Sequence, residues 1–178
     1  MSSPEKVKEI AASAIKGDRQ AVSQLADIYS GRLYGYFYRL TYNSDDAREL
    51  LSELFLKMVE KIGSARAETF EAWLFKTASN LFMDHLRAKK RRQKLFNDLT
   101  EDSPPEIQVE KRNDLTDKLT MQLRKLDPET AEIIVMRYYS QMSFEELAKM
   151  RNEPIGTVLS KVHRGLKKLR QLMENTND

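Results

Sequence analysis

Phe70–Arg92, FEAWLFKTASNLFMDHLRAKKRR, is the stretch from which the rest of this 178-residue chain is read. Phe70, Trp73, Leu74, Ala78, Leu81, Phe82 and Leu86 recur at steps of three and four, the period of one face of an α-helix. The only tryptophan lies here, and the stretch runs directly into Arg87, Lys89, Lys90, Arg91, Arg92 and Lys94. An aromatic end followed by a basic end supplies rings for bases to stack on and cations for a phosphate backbone. A core helix with a solvated charged tail has the same pattern, and the stretch alone fits both readings.

Working back toward the N-terminus, Val7, Ile10, Ala11, Ala14 and Ile15 predict a helix over Pro4–Lys16 that Gly17 stops. Asp18 is placed to cap a second helix with an inward face of Ala21, Val22, Leu25, Ile28, Tyr29, Leu33, Tyr36, Phe37 and Leu40; Gly31 and Gly35 weaken it without breaking it. Ser44 is expected to cap a third, with Asp45 and Asp46 in the first turn where the helix dipole favours carboxylates. Its apolar stripe is Ala47, Leu50, Leu51, Leu54, Phe55, Met58, Val59 and Ile62, ended by Gly63. The opposite face is mostly acidic and is the better surface for an external contact. Gly63–Thr69 reads as a short loop into the opening stretch.

Beyond Lys94 the composition changes. Asp98, Glu101, Asp102, Glu106, Glu110 and Asp114 surround Ser103-Pro104-Pro105, the marks of an acidic, proline-stiffened linker. After it, Leu115, Leu119, Leu123 and Leu126 predict one helix, and Asp127-Pro128 opens another containing Ile134, Val135, Tyr138 and Tyr139. Ser143-Phe144-Glu145-Glu146 is a capping box for a short helix through Met150. A turn over Arg151–Gly156 follows, and Thr157 is expected to cap a final helix from Val158 to about Met173. Short helix, tight turn, longer helix is the helix-turn-helix outline. At about 100° per residue, Val158, Val162, Leu166, Leu169 and Met173 fall on one side of that last helix. Ser160, His163, Arg164, Lys167 and Gln171 fall on the other, as donors suited to phosphates and guanine edges.

The totals agree with an all-α chain of two small helical domains joined by an acidic linker. Charged residues make up 32% and hydrophobic residues 40%, with 6 glycines and 5 prolines, which excludes fibrous and disordered classes. The net charge of +3 is modest, and its clustering matters more. Cysteine is absent, which excludes disulfides and thiolate metal sites and makes a reducing compartment the expectation. No stretch approaches the roughly 20 apolar residues needed to cross a bilayer, so a cytoplasmic protein without membrane insertion is expected.

Taken together, these motifs resemble a bacterial RNA polymerase sigma factor of the extracytoplasmic-function (ECF) family, within the sigma-70 superfamily. Gly17-Asp18 with Ala21, Asp46-Ala47 with Glu53 and Phe55, and Phe70, Ala72-Trp73-Leu74, Ala78, Asn80, Asp84 and Arg87 are similar to its sigma-2 domain. Leu126-Asp127-Pro128, Arg137-Tyr138-Tyr139, Ser143 with Glu145-Glu146-Leu147-Ala148, and Ile155-Gly156-Thr157-Val158 with Ser160 to Arg164 are similar to its sigma-4 domain. The resemblance implies a sigma-2 domain over 1–95, a linker over 96–113 and a sigma-4 domain over 114–178.

It also implies roles. Asp46, Glu49, Leu50, Glu53, Leu54 and Lys57 would meet the β′ clamp helices of core RNA polymerase, and the β flap would be a second contact. Arg66, Phe70, Trp73, Lys76, Asn80, Asp84, Arg87, Lys90 and Arg91 would read and melt the promoter −10 element. A flipped base would enter a pocket at the Gly63–Thr69 loop, and the linker would thread the polymerase channel. Ser143, Thr157, Leu159, Ser160, His163, Arg164 and Lys167 would hold the −35 element, and an anti-sigma factor is an expected partner. No catalytic residue, metal or cofactor is implied. The chain departs from the family pattern at Glu49, Ser52, Ser79, Leu159 and Lys161; Ser79 is expected to remove a phosphate contact, and Leu159 is suited only to a thymine methyl.

Two other readings compete. A stand-alone helix-turn-helix regulator explains the second half but leaves Asp45–Arg92 without a purpose. A helical enzyme lacks support: His85 and His163 are the only histidines, each beside basic residues with no acidic cluster expected nearby, and no glycine-rich phosphate loop, HExxH or serine elbow occurs.

Overall fold

The computed structural model describes residues 3–99 and 115–175. Among the described residues eight α-helices run in chain order: α1 Pro4–Ile15, α2 Arg19–Thr41, α3 Ser44–Lys61, α4 Phe70–Leu99, α5 Leu115–Leu123, α6 Pro128–Tyr138, α7 Phe144–Arg151 and α8 Ile155–Glu174. Two single 3₁₀ turns, Ile62–Ser64 and Ala67–Thr69, join α3 to α4. No strand occurs among the described residues, so the all-α expectation holds.

Helix ends follow local chemistry. Ser3 and Asp18 accept first-turn amides of α1 and α2, and Gly17 takes φ +98°, a left-handed conformation open to glycine, to turn the chain between them. Asn43, not Ser44, caps α3: its side chain takes the Asp45 and Asp46 amides, and Ser44 is already helical. Thr157 caps nothing either. Helix α8 begins at Ile155, three residues before the expected Val158, with Pro154 in the cap position and no side-chain cap. The capping box of α7 is complete, with Ser143 Oγ accepting the Glu146 amide and the Glu146 carboxylate accepting the Ser143 amide. Leu126 lies past the end of α5, in the turn that leads to Asp127.

The first bundle closes α1, α2, α3 and the front half of α4 over an aromatic core. Leu25, Leu33, Tyr36, Phe37, Leu54, Leu74 and Phe75 are fully enclosed, and Phe75 was not on the expected inward face. Burial of each such side chain contributes roughly 2–3 kcal/mol. The second bundle packs α6 and α7 against α8 around Ile133, Met136, Leu147, Val158 and Val162. Gly165 makes the α6–α8 crossing close: a Cβ there would lie 2.3 Å from Thr130 Cγ2.

Helix α4 continues past the stretch first read as a helix and takes in 96–99, so the start of the expected linker is helical. Residues 100–114, the rest of that linker, lie outside the described residues.

The two bundles also touch. Helix α2 packs on α5 and α6, and α4 on α7. Tyr36 of α2 donates its hydroxyl to Glu132 of α6 at 2.7 Å, and Arg151 of α7 holds the same carboxylate at 2.9 Å.

Candidate nucleic-acid and partner interfaces

Helix α3 presents an outward strip. Glu49, Ser52, Glu53, Leu56, Val59 and Glu60 are exposed, and at about 100° per residue they share one side. Leu56 and Val59 are 65% and 62% exposed, unusual for large aliphatic side chains lying on an acidic ridge. Leu50 and Leu54, expected as partner contacts, are instead core residues at 2% and 0% exposure. Their side chains hold α3 to its own bundle and offer no surface. Asp46 is also committed inward: its Oδ2 pairs with His85 Nε2 at 3.4 Å and Lys89 Nζ at 3.2 Å, tying the start of α3 to α4. This sets a single carboxylate beside His85. Of the remaining expected contacts, Glu49 and Glu53 face outward, and Lys57 pairs with Glu53 at 3.6 Å along the helix.

The −10 candidates divide between surface and interior. Phe70 is buried against Tyr29 and Trp73, with ring centroids 5.9 Å and 5.8 Å away, so it packs beneath the surface and offers almost no exposed ring. Trp73 is half-buried, while Arg66, Lys76, Asn80, Asp84, Arg87, Lys90 and Arg91 are exposed. Arg87 donates to Asp84 at 2.7 Å within the helix. Lys76 Nζ donates to the Met150 carbonyl at the end of α7, so the second bundle already occupies part of this surface. Ser79, where the loss of a phosphate contact was expected, is buried.

Around the entry to α4, Tyr29 donates to Glu71, and Arg32 pairs with the other oxygen of the same carboxylate while stacking 5.1 Å over the Phe75 ring. Burial pushes the Tyr29 phenol well above its usual range, and the facing Glu71 charge adds to it, so it stays a donor. Tyr29, Arg32 and Glu71, with Ala67, Glu68 and Phe70, border a cleft of about 740 Å³ beside the 3₁₀ turns, which Gln141 and Glu146 of the second bundle also line. Arg32 and Tyr29 were not among the expected site residues. Arginine at a polar-looking position of α2 carried no signal until α4 crossed it.

The −35 candidates sit together on α8. Leu159, Ser160, His163 and Arg164 line one shallow outward depression, and Thr157 and Lys167 are also exposed. Ser160 Oγ donates to the Gly156 carbonyl, and Arg164 Nε to the Ser160 carbonyl, which lays the guanidinium along the helix surface. Lys161 points elsewhere, into Glu153 at 2.8 Å, within an ion-pair group with Arg151 and Glu129. Ser143 spends its oxygen as the α7 cap, though a capping hydroxyl still has a proton to donate.

Comparison with known proteins gives these surfaces a common setting. Residues 25–92 match the family model for Sigma-70 region 2, and residues 116–169 match that for Sigma-70, region 4. The ECF RNA polymerase sigma factor SigW of Bacillus subtilis is 27% identical over 173 residues, covering 90% of this chain and 92% of that protein. The ECF sigma factor SigE of Mycolicibacterium smegmatis is 31% identical over 166 residues, 88% of this chain and 64% of that protein. Among solved structures, the sigma factor RpoE bound to the anti-sigma factor NepR from Bartonella quintana shares the fold with TM-score 0.71 at 22% identity, over 85% of this chain and 96% of that one. CnrH in complex with the cytosolic domain of CnrY does so with TM-score 0.72 at 19% identity, over 95% and 97%. With region 2 and region 4 present in that order and both built as helical bundles, the chain belongs to the sigma-70 family and is an RNA polymerase sigma factor of the ECF type.

Proposed function

We propose that this sigma factor divides promoter-specific initiation among three surfaces, with α3 for core polymerase, α4 for the −10 element and α8 for the −35 element. The outward strip of α3 suits a helical, basic partner such as the β′ clamp helices. Leu56 and Val59 supply apolar area there, and Glu49, Glu53 and Glu60 supply charge. Glu49 and Glu53 are retained from the expected contacts, and Leu56 and Val59 take the place of Leu50 and Leu54.

On α4 the surface is made by Trp73, Lys76, Asn80 and Arg87, continued by Lys90 and Arg91, with Arg66 at the approach. The cleft beside Arg32 and Glu71 is the place for an unstacked base. Extruding a base costs a few kcal/mol, which edge hydrogen bonds and stacking return. On α8, Ser160, His163 and Arg164 read base edges, Leu159 meets a thymine methyl, and Thr157, Lys167 and Ser143 hold phosphates.

The observation that carries this reading is the single outward face of α8, where four candidate side chains line one depression beyond a completed α7 cap. A stand-alone regulator would leave the α3 strip without a use. The exposed Leu119, Met121 and Tyr138 on the second bundle suit the β flap or an anti-sigma factor, the kind of partner with which RpoE was solved. Its work is recognition and positioning rather than catalysis, carried out in the cytoplasm where core polymerase works; no helix of the described residues is long and apolar enough to cross a membrane.

Transcription from a randomised promoter library with purified core polymerase tests the whole reading. Start-site-selective transcripts enriched for two elements about 25 base pairs apart are expected. Absence of selective transcripts would overturn it.

A further inference from the structure

We propose that Lys161 is a positioning residue for −35 recognition: through Glu153 it fixes the rotation of α8 within the second bundle and does not itself touch DNA. The proposal rests on the reading of α8 as the −35 helix.

The position invites the opposite expectation. Lys161 stands on the recognition helix next to Ser160, where the family pattern frequently has arginine, and a cation there would ordinarily be counted as a phosphate contact. The helix turns it away. At about 100° per residue it lies about 100° around α8 from Ser160 and about 160° from His163. On that flank its ammonium is already committed. Nζ donates to both oxygens of Glu153 at 2.8 Å and lies 3.7 Å from Glu129 in the first turn of α6.

Arg151, at the end of α7, completes the group. Its Nη1 donates to the fully buried Glu132 at 2.9 Å, its Nη2 lies 3.8 Å from Glu129, and its Nε lies 3.8 Å from Glu153. Three carboxylates therefore face two cations. The group as a whole is negative, so it repels a phosphate and holds Lys161 back from one.

What the group does there follows from how little else sets the rotation of α8. Only Asn152, Glu153 and Pro154 separate α7 from α8, and α8 starts with no side-chain cap. Farther along, Gly165 lets α8 close on Thr130 and Ile134 of α6. A smooth glycine contact fixes the distance between two helices and leaves rotation about the axis free. The ion pair supplies what is missing, since it reaches from the turn to the second turn of α8 and from there to α6. Outward side-chain tips stand about 6 Å from a helix axis, so a rotation of about 15° carries them about 1.5 Å. Hydrogen bonds to base edges fail over that distance. A flexible cation on a phosphate tolerates the shift, whereas Ser160, His163 and Arg164 on base edges do not. The bridge therefore serves specificity more than affinity.

The test uses holoenzyme assembled from the full chain and core RNA polymerase. Binding is measured on two promoters, one carrying the −35 element enriched from the randomised library and one with that element scrambled. Discrimination is the ratio of the two binding constants, and both are followed across a salt series. Lys161→Met keeps the aliphatic stem and removes the charge; Glu153→Gln removes the charge from the other side. Both should lower discrimination about tenfold, the worth of one misplaced base contact, and leave the salt slope unchanged. Lys161→Arg, which keeps charge and reach, should retain discrimination. A direct phosphate contact predicts a different pattern. Lys161→Met would then flatten the logarithmic salt slope by about 0.9 with discrimination intact, and Glu153→Gln would free the ammonium and tighten binding to both promoters. Either result would overturn the positioning role. So would unchanged discrimination in Lys161→Met and Glu153→Gln with their circular dichroism intact, or loss of discrimination in Lys161→Arg. Failure of the family reading shows separately, as an unsubstituted chain that yields no selective transcripts and hence no −35 element to scramble.

Discussion

Helices α4 and α8 are built from the same two materials, apolar side chains and cations, distributed in different ways. Along α4 they are separated by length: the buried residues end at Phe82, and from Lys90 to Asn97 every residue is exposed. Around α8 they are separated by circumference, with Val158, Val162, Gly165 and Leu169 inward and Ser160, His163, Arg164 and Lys167 outward. The first arrangement makes a helix that is core at one end and a projecting basic rod at the other, suited to following a backbone. The second makes a thin amphipathic rod that lies flat on its bundle and offers one full side to a groove. A groove-reading helix needs its polar face unbroken over several turns, whereas a backbone grip needs only charge density.

Substitutions can break that comparison. The largest effect is expected for Phe75→Ala, which empties a fully enclosed site under α4 and should cost about 3–5 kcal/mol of first-bundle stability by denaturant titration. The matching change on α8, Leu159→Ala, should leave stability within about 0.5 kcal/mol because that side chain is 44% exposed. Arg164→Ala comes next, weakening −35 binding by about 1–3 kcal/mol and relaxing preference at one base; an equal loss on every sequence would reassign it to a phosphate.

Neutralising Lys90 and Arg91 sharpens the contrast, since a backbone grip should lose salt sensitivity and not specificity. Each lost phosphate contact should flatten the logarithmic salt slope by about 0.9, read from promoter binding across a salt series. Lys89 is left out because Asp46 already holds it.

The smallest effect concerns the support beneath α8. Asp127 caps α6, and although its partial burial works against the charge, hydrogen bonds from Thr130 outweigh it and lower its pKa. A lowered carboxylate stabilises the fold above its ordinary value near pH 4, about where an unfolded aspartate titrates, and that contribution fades as pH falls through the folded value. Asp127→Ala should cost about 1 kcal/mol at neutral pH and little at pH 2, by thermal melts at both.

Much of this was legible in the residues because it is local. Asp18 and Ser143 announced two helix starts, period alone gave the inward faces of α2 and α8, and the order of motifs pointed to the family. Local reasoning missed by one position at Asn43, where two neighbouring residues are both good caps, and by more at Pro154, where the helix starts without a side-chain cap. The errors on α3 have a different cause. Its stripe is broader than the face one bundle covers, so periodicity could not say that Leu54 is enclosed while Val59 stays outside.

The sequence by itself determined the helices, their order, the family and the outward chemistry of α8, all of which follow from spacing along one chain. Only the tertiary structure decided which ends of those stripes meet solvent, that Asp46 belongs to His85 and Lys89, and that Tyr36, Glu132 and Arg151 meet across 96 and 19 residues of chain. Such meetings depend on how helices cross, and a crossing is fixed by packing between distant segments that no periodicity within one segment encodes.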